Sequence, residues 1–267
     1  MKTAVISDIH VDINEEYPVV EALEEELNKR DVQLLLLAGD ISDCADRSIQ
    51  TVERLEQESG VRVLYVPGNH DMWDKEKKYG NNDRIYEKYL ADGHCLSGKC
   101  FETDRYFVVG DIGWYDYSYG NPGYTREEFE LMSRDGRTFQ DFLFNTWTEN
   151  NQEKCAWFVE NLREKIRKAG GKKVVLMTHM LSHEAFLVPE NIGNWAYFNA
   201  FLGSRALERL CREEQVAYAI CGHVHYRKNI REGNTTWLCR CLNYHTEWRE
   251  NQDIRKQIAD AMEVIEL

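Results

Sequence analysis

The 267-residue chain has no apolar run long enough to cross a bilayer. A stretch such as Leu34 to Ala38 falls far short of the ~20 residues that a membrane helix needs. No secretory leader is expected either, since no charged n-region and apolar h-region open the sequence and Met1 leads straight into a strand-like segment. Its eight cysteines therefore do not read as the disulfide framework of a secreted protein, and they are expected to be reduced, in the cytoplasm. Positive charge is scarce. The net charge of -13 favours solubility and works against a broad, sequence-independent grip on nucleic acid. No basic amphipathic helix offers itself to a lipid surface, so membrane insertion is not expected. With four prolines there is no Pro-rich linker, and no internal repeat or low-complexity tract marks a boundary. One domain over residues 1–267 is the expectation.

What is present is a regular alternation of short apolar runs and amphipathic stretches. Thr3 to Ser7, Gln33 to Ala38 and Arg62 to Val66 read as strands, with helices over Glu15 to Arg30 and over Arg47 to Ser59, the latter closed by Gly60. Further strands are expected at Tyr106 to Val109, Lys173 to Met177, Ala217 to Cys221 and Thr236 to Cys241. Helices are expected at Glu153 to Lys168, Ser204 to Glu214 and, closing the chain, Gln252 to Val264. Such a rhythm favours parallel pairing in an α/β fold, and two facing mixed sheets flanked by helices, a four-layer α/β/β/α sandwich, would use every element. Residues 111–151 break the rhythm. That segment carries Trp114, Tyr115, Tyr117, Tyr119 and several phenylalanines without clear periodicity, and it reads either as an insertion or lid or as a satellite aromatic core. On the first reading Trp114, Tyr115 and Tyr117 border the substrate crevice.

Polar residues cluster where the apolar runs stop: Ser7-Asp8-Ile9-His10, Gly39-Asp40-Ile41-Ser42-Asp43, Gly68-Asn69-His70-Asp71, Thr178-His179 and Gly222-His223-Val224-His225. In open α/β sheets the loops beyond the carboxyl ends of the strands form the ligand crevice, so segments distant in sequence can converge there. Carboxylate, imidazole and one amide make a mixed N/O donor set suited to Mn, Fe or Zn rather than Ca or Mg. The pairs Asp8/His10 and His223/His225 put two donors on one face if the backbone is extended, because strand side chains repeat every two residues.

These clusters, in the order D-x-H, G-D-x-x-D, G-N-H-[DE], a lone His and G-H-x-H, resemble the signature of the calcineurin-like metallophosphoesterase superfamily. The resemblance implies two divalent metal ions, Mn or Fe in the first place and Zn or Ni as alternatives. Asp8, His10 and His225 would hold one, Asn69, His179 and His223 the other, and Asp40 would bridge them. It also implies hydrolysis of a small phosphomonoester or phosphodiester by a metal-bridging hydroxide, with His70 as general acid and Asp71 orienting or charging its imidazole. Purple acid phosphatases, a related group, carry an iron-ligating tyrosine where this chain has Asp43, so a divalent pair without tyrosinate colour is expected.

Taken singly, each of these residues has an ordinary alternative role: a capping aspartate, a turn asparagine, a hydrogen-bonded histidine. Jointly they would bury many polar groups at high cost without a cation. His94, His183 and His245 fit no motif position and are expected at the surface or behind a ligand, with His183 the best placed of the three. Cys239 and Cys241 are expected to fill sheet positions. Two other readings compete: a non-catalytic metal-binding scaffold of the same fold, and a nuclease-type phosphodiesterase, which the acidic balance disfavours.

Overall fold

A computed structural model describes residues 1–248 and 252–267. Strand β1 (Lys2–Ile6), helix α1 (Val19–Lys29), β2 (Leu34–Ala38), α2 (Ala45–Ser59) and β3 (Arg62–Val66) follow the expected rhythm. Helix α1 begins later than the periodicity suggests because Pro18 stands at its N-cap and the preceding residues turn instead. Asn14 holds that turn, donating to the carbonyls of Ile9 and Asn243 at 3.0 Å each. Gly60 caps α2 in the left-handed conformation at φ 68°.

Then come α3 (Asn82–Ala91), β4 (Phe101–Glu102) and β5 (Tyr106–Asp111). Residues 111–151, aperiodic in sequence, contain α4 (Arg126–Glu130), a small hairpin of β6 (Ser133–Arg134) and β7 (Arg137–Thr138), and α5 (Asp141–Phe144). The chain continues through α6 (Asn151–Ile166), β8 (Lys173–Thr178), α7 (Trp195–Phe198), α8 (Arg205–Glu213), β9 (Tyr218–Cys221), β10 (Arg227–Glu232) and β11 (Thr235–Arg240). The expected closing helix over 252–264 divides into α9 (Ile254–Ala261) and a last strand β12 (Glu263–Glu266). Strand β12 pairs antiparallel with β1, so Val264 and Ile265 satisfy a sheet edge that a helix would have left open.

Two mixed sheets result, in the orders β12-β1-β2-β3 and β10-β11-β9-β8-β5-β4. Strands β1, β2 and β3 run parallel, as do β5, β8, β9 and β11. Alternate residues explain the layers. Val5, Leu34, Leu36, Val66, Val108, Val175, Met177 and Leu238 share the core between the sheets. Their neighbours Ala4, Ile6, Leu35, Leu37, Val109, Leu176 and Trp237 join the helical side chains Leu23, Val52, Leu55, Phe158, Leu162 and Leu207. Both faces of the central strands are covered, which is why β2 reads as an unbroken apolar run. At one end the sheets are stitched together, the Ser7 amide donating to the Arg240 carbonyl and the Leu242 amide to the Ser7 carbonyl, both at 2.9 Å. Among the described residues no helix is long and apolar enough to cross a membrane.

A buried ion pair anchors the far side of that end. Lys165 Nζ donates to Asp111 Oδ2 at 3.1 Å and to the carbonyls of Ser97 at 2.7 Å and Gly110 at 3.0 Å. Asp111 ends β5, and the next carbonyl, of Ile112, accepts from the His179 and Met180 amides at 3.0 and 3.1 Å. Replacing Lys165 by Met leaves a buried carboxylate without its cation, so urea denaturation is expected to show a loss of about 3–5 kcal/mol; a change within ~0.5 kcal/mol would show that the pair does not hold this end of the fold.

Candidate metal centre

Every polar cluster singled out in the sequence leaves its strand at the same end of the two sheets, because the strands that precede them are parallel within each sheet. Past the strand ends the backbone turns sharply. Asp8, His10 and Asp40 have φ of 52°, 40° and 52°, and His223 and His225 have 71° and 58°. The two donor pairs are therefore not carried on extended chain, as strand periodicity would have it. Each member turns through the left-handed region, which costs an L-residue roughly 1–2 kcal/mol and persists only where surrounding contacts enforce it.

Glycines make the close approach possible. A Cβ on Gly68 would lie 2.1 Å from Asp40 Oδ1, and one on Gly222 would lie 2.5 Å from Asp8 Oδ2. The carboxylates occupy the space where those side chains would be.

The donor atoms converge. His225 Nε2 lies 3.6 Å and His10 Nε2 3.9 Å from Asp8 Oδ1. Asp40 Oδ2 lies 3.6 Å from His10 Nε2 and 3.3 Å from His179 Nε2. His179 Nε2 is in turn 3.1 Å from Asn69 Oδ1 and 3.2 Å from His223 Nδ1. Three triads, Asp8/His10/His225, His10/Asp40/His70 and Asp40/His179/His223, each bring one donor atom per residue within 4.8 Å of one another. Donors bound ~2.1 Å from one ion stand about 3–3.5 Å apart, and the separations here run from 3.1 to 3.9 Å, within a few tenths of an ångström of that spacing. The ring of His10 is fully buried, yet among the described residues neither of its nitrogens has a hydrogen-bond partner. An orphaned imidazole of that kind is costly in a protein interior unless a cation takes the lone pair.

Three other imidazoles are oriented by the nitrogen that points away. His179 Nδ1 pairs with the Ala38 carbonyl at 2.9 Å, His223 Nε2 with the Phe201 carbonyl at 3.3 Å, and His225 Nδ1 with Glu247 Oε2 at 2.6 Å. Such partners fix the ring and leave the inward nitrogen as the lone-pair donor. Asn69 is treated alike: its amide nitrogen donates to Asp141 Oδ1 at 2.9 Å, so its carbonyl oxygen faces the cluster. Asp141 also accepts from Trp73 Nε1 at 2.9 Å, and its burial pushes its carboxyl up to about 6. Sequence reasoning missed both Glu247 and Asp141, and neither stands in a motif that would have signalled it.

Electrostatics favour cations here. Burial pushes His10 well below its usual value, His223 to about 3 and His70 to about 4, so all three are neutral, the form that binds metal. Burial acts the same way on His179, but the charge of Asp40 outweighs it and holds that imidazole up at about 10. Desolvation would raise Asp40, yet His179 and His70 keep it well below the carboxylate range.

His70 presents a ring stacked on Trp73, centroids 3.7 Å apart. Its Nε2 faces Asp40 Oδ2 at 4.0 Å and the Tyr244 hydroxyl at 3.5 Å. Tyr244, another residue that sequence patterns did not reveal, packs edge-on against His10 and His225 at 4.7 and 4.6 Å. The expected partnership of Asp71 with the His70 ring is not formed. The Asp71 carboxylate accepts from the Ile41 and Ser42 amides at 3.0 Å, from Ser48 Oγ at 2.5 Å and from the Gly68 amide at 2.6 Å. It locks the loops after β2 and β3 together, and among the described residues His70 Nδ1 has no hydrogen-bond partner. Asp43 meets Lys75 at 2.6 Å.

The aromatic segment also differs from its crevice reading. Trp114, Tyr115 and Tyr117 are buried, and Tyr115 and Tyr117 pack edge-on against Phe201. Their positions follow from area: large rings bury best against other rings, and Trp114 satisfies its indole N–H on Asn151 Oδ1 at 2.8 Å. The same segment reaches the crevice further along, where Arg137, Phe139 and Phe144 line a cavity of about 1020 Å³ together with His70, His223 and Tyr244. His183 lies away from the cluster, 2.9 Å from Glu232, and His94 lies 3.4 Å from Glu56. Cys239 and Cys241 are buried in and just after β11, and all eight cysteines are free thiols.

Comparison with known proteins agrees with this architecture. The structure of a phosphopantetheinyl hydrolase from Mycobacterium tuberculosis aligns with a TM-score of 0.81 at 17% identity, covering 99% of this chain and 95% of that one. A dimetal phosphatase from Danio rerio aligns with a TM-score of 0.51 at 18% identity, over 90% and 86% of the two chains. In sequence, the uncharacterized protein L509 of Acanthamoeba polyphaga mimivirus is 19% identical over 242 residues, 83% of each chain. Residues 1–227, which include all seven donors as well as His70, match the family model of calcineurin-like phosphoesterases, and the chain belongs to that family.

Proposed function

We propose that the cleft hydrolyses the phosphate ester of a small organic molecule with the help of two divalent cations. Asp8, His10 and His225 would hold one and Asn69, His179 and His223 the other, with Asp40 shared between them. The observation that carries this reading is Asp40 Oδ2, buried 3.6 Å from His10 Nε2 and 3.3 Å from His179 Nε2, beside a His10 ring whose nitrogens have no hydrogen-bond partner among the described residues. The N/O donor set favours Mn or Fe. When bound, such a pair supplies positive charge for the phosphoryl oxygens and a water acidified enough to attack phosphorus at neutral pH.

The remaining chemistry belongs to the chain. His70 Nε2 points into the cavity and donates the proton that the leaving oxygen needs. Neutral in the empty cleft, the imidazole regains its charge next to the phosphoryl anion that docks there. Trp73 holds its plane by stacking, and the Tyr244 hydroxyl approaches the same nitrogen. Asp71 keeps the His70 loop registered against the Asp40 loop. Residues 111–151 supply the wall beside the reacting phosphate through Phe139 to Phe144 and act as the lid of the site. Eight unpaired thiols suit a reducing compartment. A second reading, cleavage of a phosphodiester with a long arm, is favoured by the size of the cavity and its apolar lining. The Mycobacterium tuberculosis protein, by its name, acts on a phosphopantetheinyl group, and esters of that group belong among the substrates to test.

Purified protein supplemented with Mn²⁺, Fe²⁺, Ni²⁺ or Zn²⁺ is expected to release nitrophenol from an aryl phosphate or diester; no turnover with any of them would favour a non-catalytic scaffold. His70→Ala should lower turnover of a poor leaving group by ~10²- to 10⁴-fold with bound metal unchanged, and an equal loss of metal would refute the proton-donor role. Asp141→Ala frees the Asn69 amide and should weaken binding of one of the two ions by ~10- to 100-fold in a chelator competition. Unchanged affinity for both ions would remove Asn69 from the ligand set.

A further inference from the structure

The cavity is larger than a phosphate requires, and its outer wall is a built feature. In the β6–β7 hairpin Asp135 and Gly136 both have positive φ, 49° and 77°, as a two-residue turn matched to the strand twist demands. The hairpin sends Arg137 and Phe139 into the cleft. Phe139 stacks on Phe201 at 5.1 Å, and its ring centre lies 6.1 Å from that of His223, so the apolar wall starts beside the donor cluster.

Arg137 stands further out on the same wall. Its guanidinium lies 5.5 Å from the Trp195 ring centre and 5.2 Å from that of Phe198. Its neighbour Arg134 approaches Glu128 at 3.7 Å, and Lys75, the other cation lining the cleft, is tied to Asp43 at 2.6 Å. Among the described residues no carboxylate lies within ion-pair distance of Arg137. In a chain of net charge -13, a cation without an acidic partner among the described residues lies over two aromatic rings at the rim of the cleft. Cation–π attraction of this kind holds a guanidinium in place without using up its N–H groups, which can still make a two-pronged bond to phosphate or carboxylate.

We propose that Arg137 is a specificity-determining residue that binds a second anionic group of the substrate, joined to the scissile phosphate by an apolar segment lying along Phe139. The inference rests on the phosphoesterase reading of the metal centre. Residues two apart in extended chain are separated by ~6.6 Å, so the second anion would sit on the order of 10 Å from the scissile phosphorus, about the reach of a six-carbon spacer.

Calorimetric titration of the Mn²⁺-loaded protein with hexane-1,6-diol bisphosphate, 6-phosphohexanoate and hexyl phosphate tests this directly. The two dianchored probes are expected to bind about ten- to a hundredfold more tightly than hexyl phosphate, the better of them identifying the anion. Arg137→Ala should erase that advantage while leaving hexyl phosphate binding and turnover of nitrophenyl phosphate unchanged, and Arg137→Lys should restore part of it. An advantage that survives in Arg137→Ala, or an equal loss for all three probes, would overturn the proposal. Failure of the metal-loaded protein to turn over any aryl ester would instead strike the phosphoesterase reading, since the binding comparison does not depend on turnover.

Discussion

The arrangement turns on one buried carboxylate. Asp40 is almost wholly shielded from water and has His179, His10 and His70 around it, while its other oxygen accepts the His70 amide at 3.0 Å. Crowding imidazole lone pairs around a carboxylate in a low-dielectric interior is unfavourable unless positive charge intervenes. The protein builds this position at considerable local expense. Asp40 and four of the residues around it adopt left-handed backbone, and Gly68 and Gly222 give up the space that the carboxylates occupy. Strain of this sort is kept where function requires it.

What holds the strain is a set of groups packed behind the candidate donors. Asp71 ties together the loops that follow β2 and β3, and Glu247, Ala38 and Phe201 fix three imidazole planes from behind. The Ser7 bridge to the end of β11 joins the two sheets at the level of the site, so that donors from both lie within a few ångströms. The Lys165–Asp111 pair steadies the strand end whose next carbonyl receives the His179 amide. The candidate metal centre is thus a property of how two sheets are joined as much as of the residues that line it.

The buried central strands, the sheet-end clusters and the candidate donor residues could be read from the chain because they depend on local pattern. An apolar run buried on both faces, such as Leu34 to Ala38, announces itself, and so does a Gly-Asp or Gly-Asn-His at its end. Residues 111–151 could not be read by periodicity, since their order comes from aromatic rings meeting rings on distant segments such as Phe201 and Tyr197. One local signal was present in that stretch: Asp135-Gly136, between Arg134 and Arg137, is a hairpin dipeptide. Strand β12 was hidden inside an apparently helical stretch because its stability comes from pairing with β1, at the other end of the chain.

The sequence by itself determined the family and the α/β class and singled out seven candidate donor residues, because these follow from short motifs at the ends of apolar runs. Tertiary structure alone decided that Asp71 clamps loops instead of charging His70, that Trp114 and Tyr115 are core, and that Tyr244, Asp141, Glu247 and Arg137 surround the cleft. Each of those facts is a contact between segments far apart in the chain, and the direction of a side chain beyond a left-handed turn is set by what it packs against rather than by its neighbours in sequence.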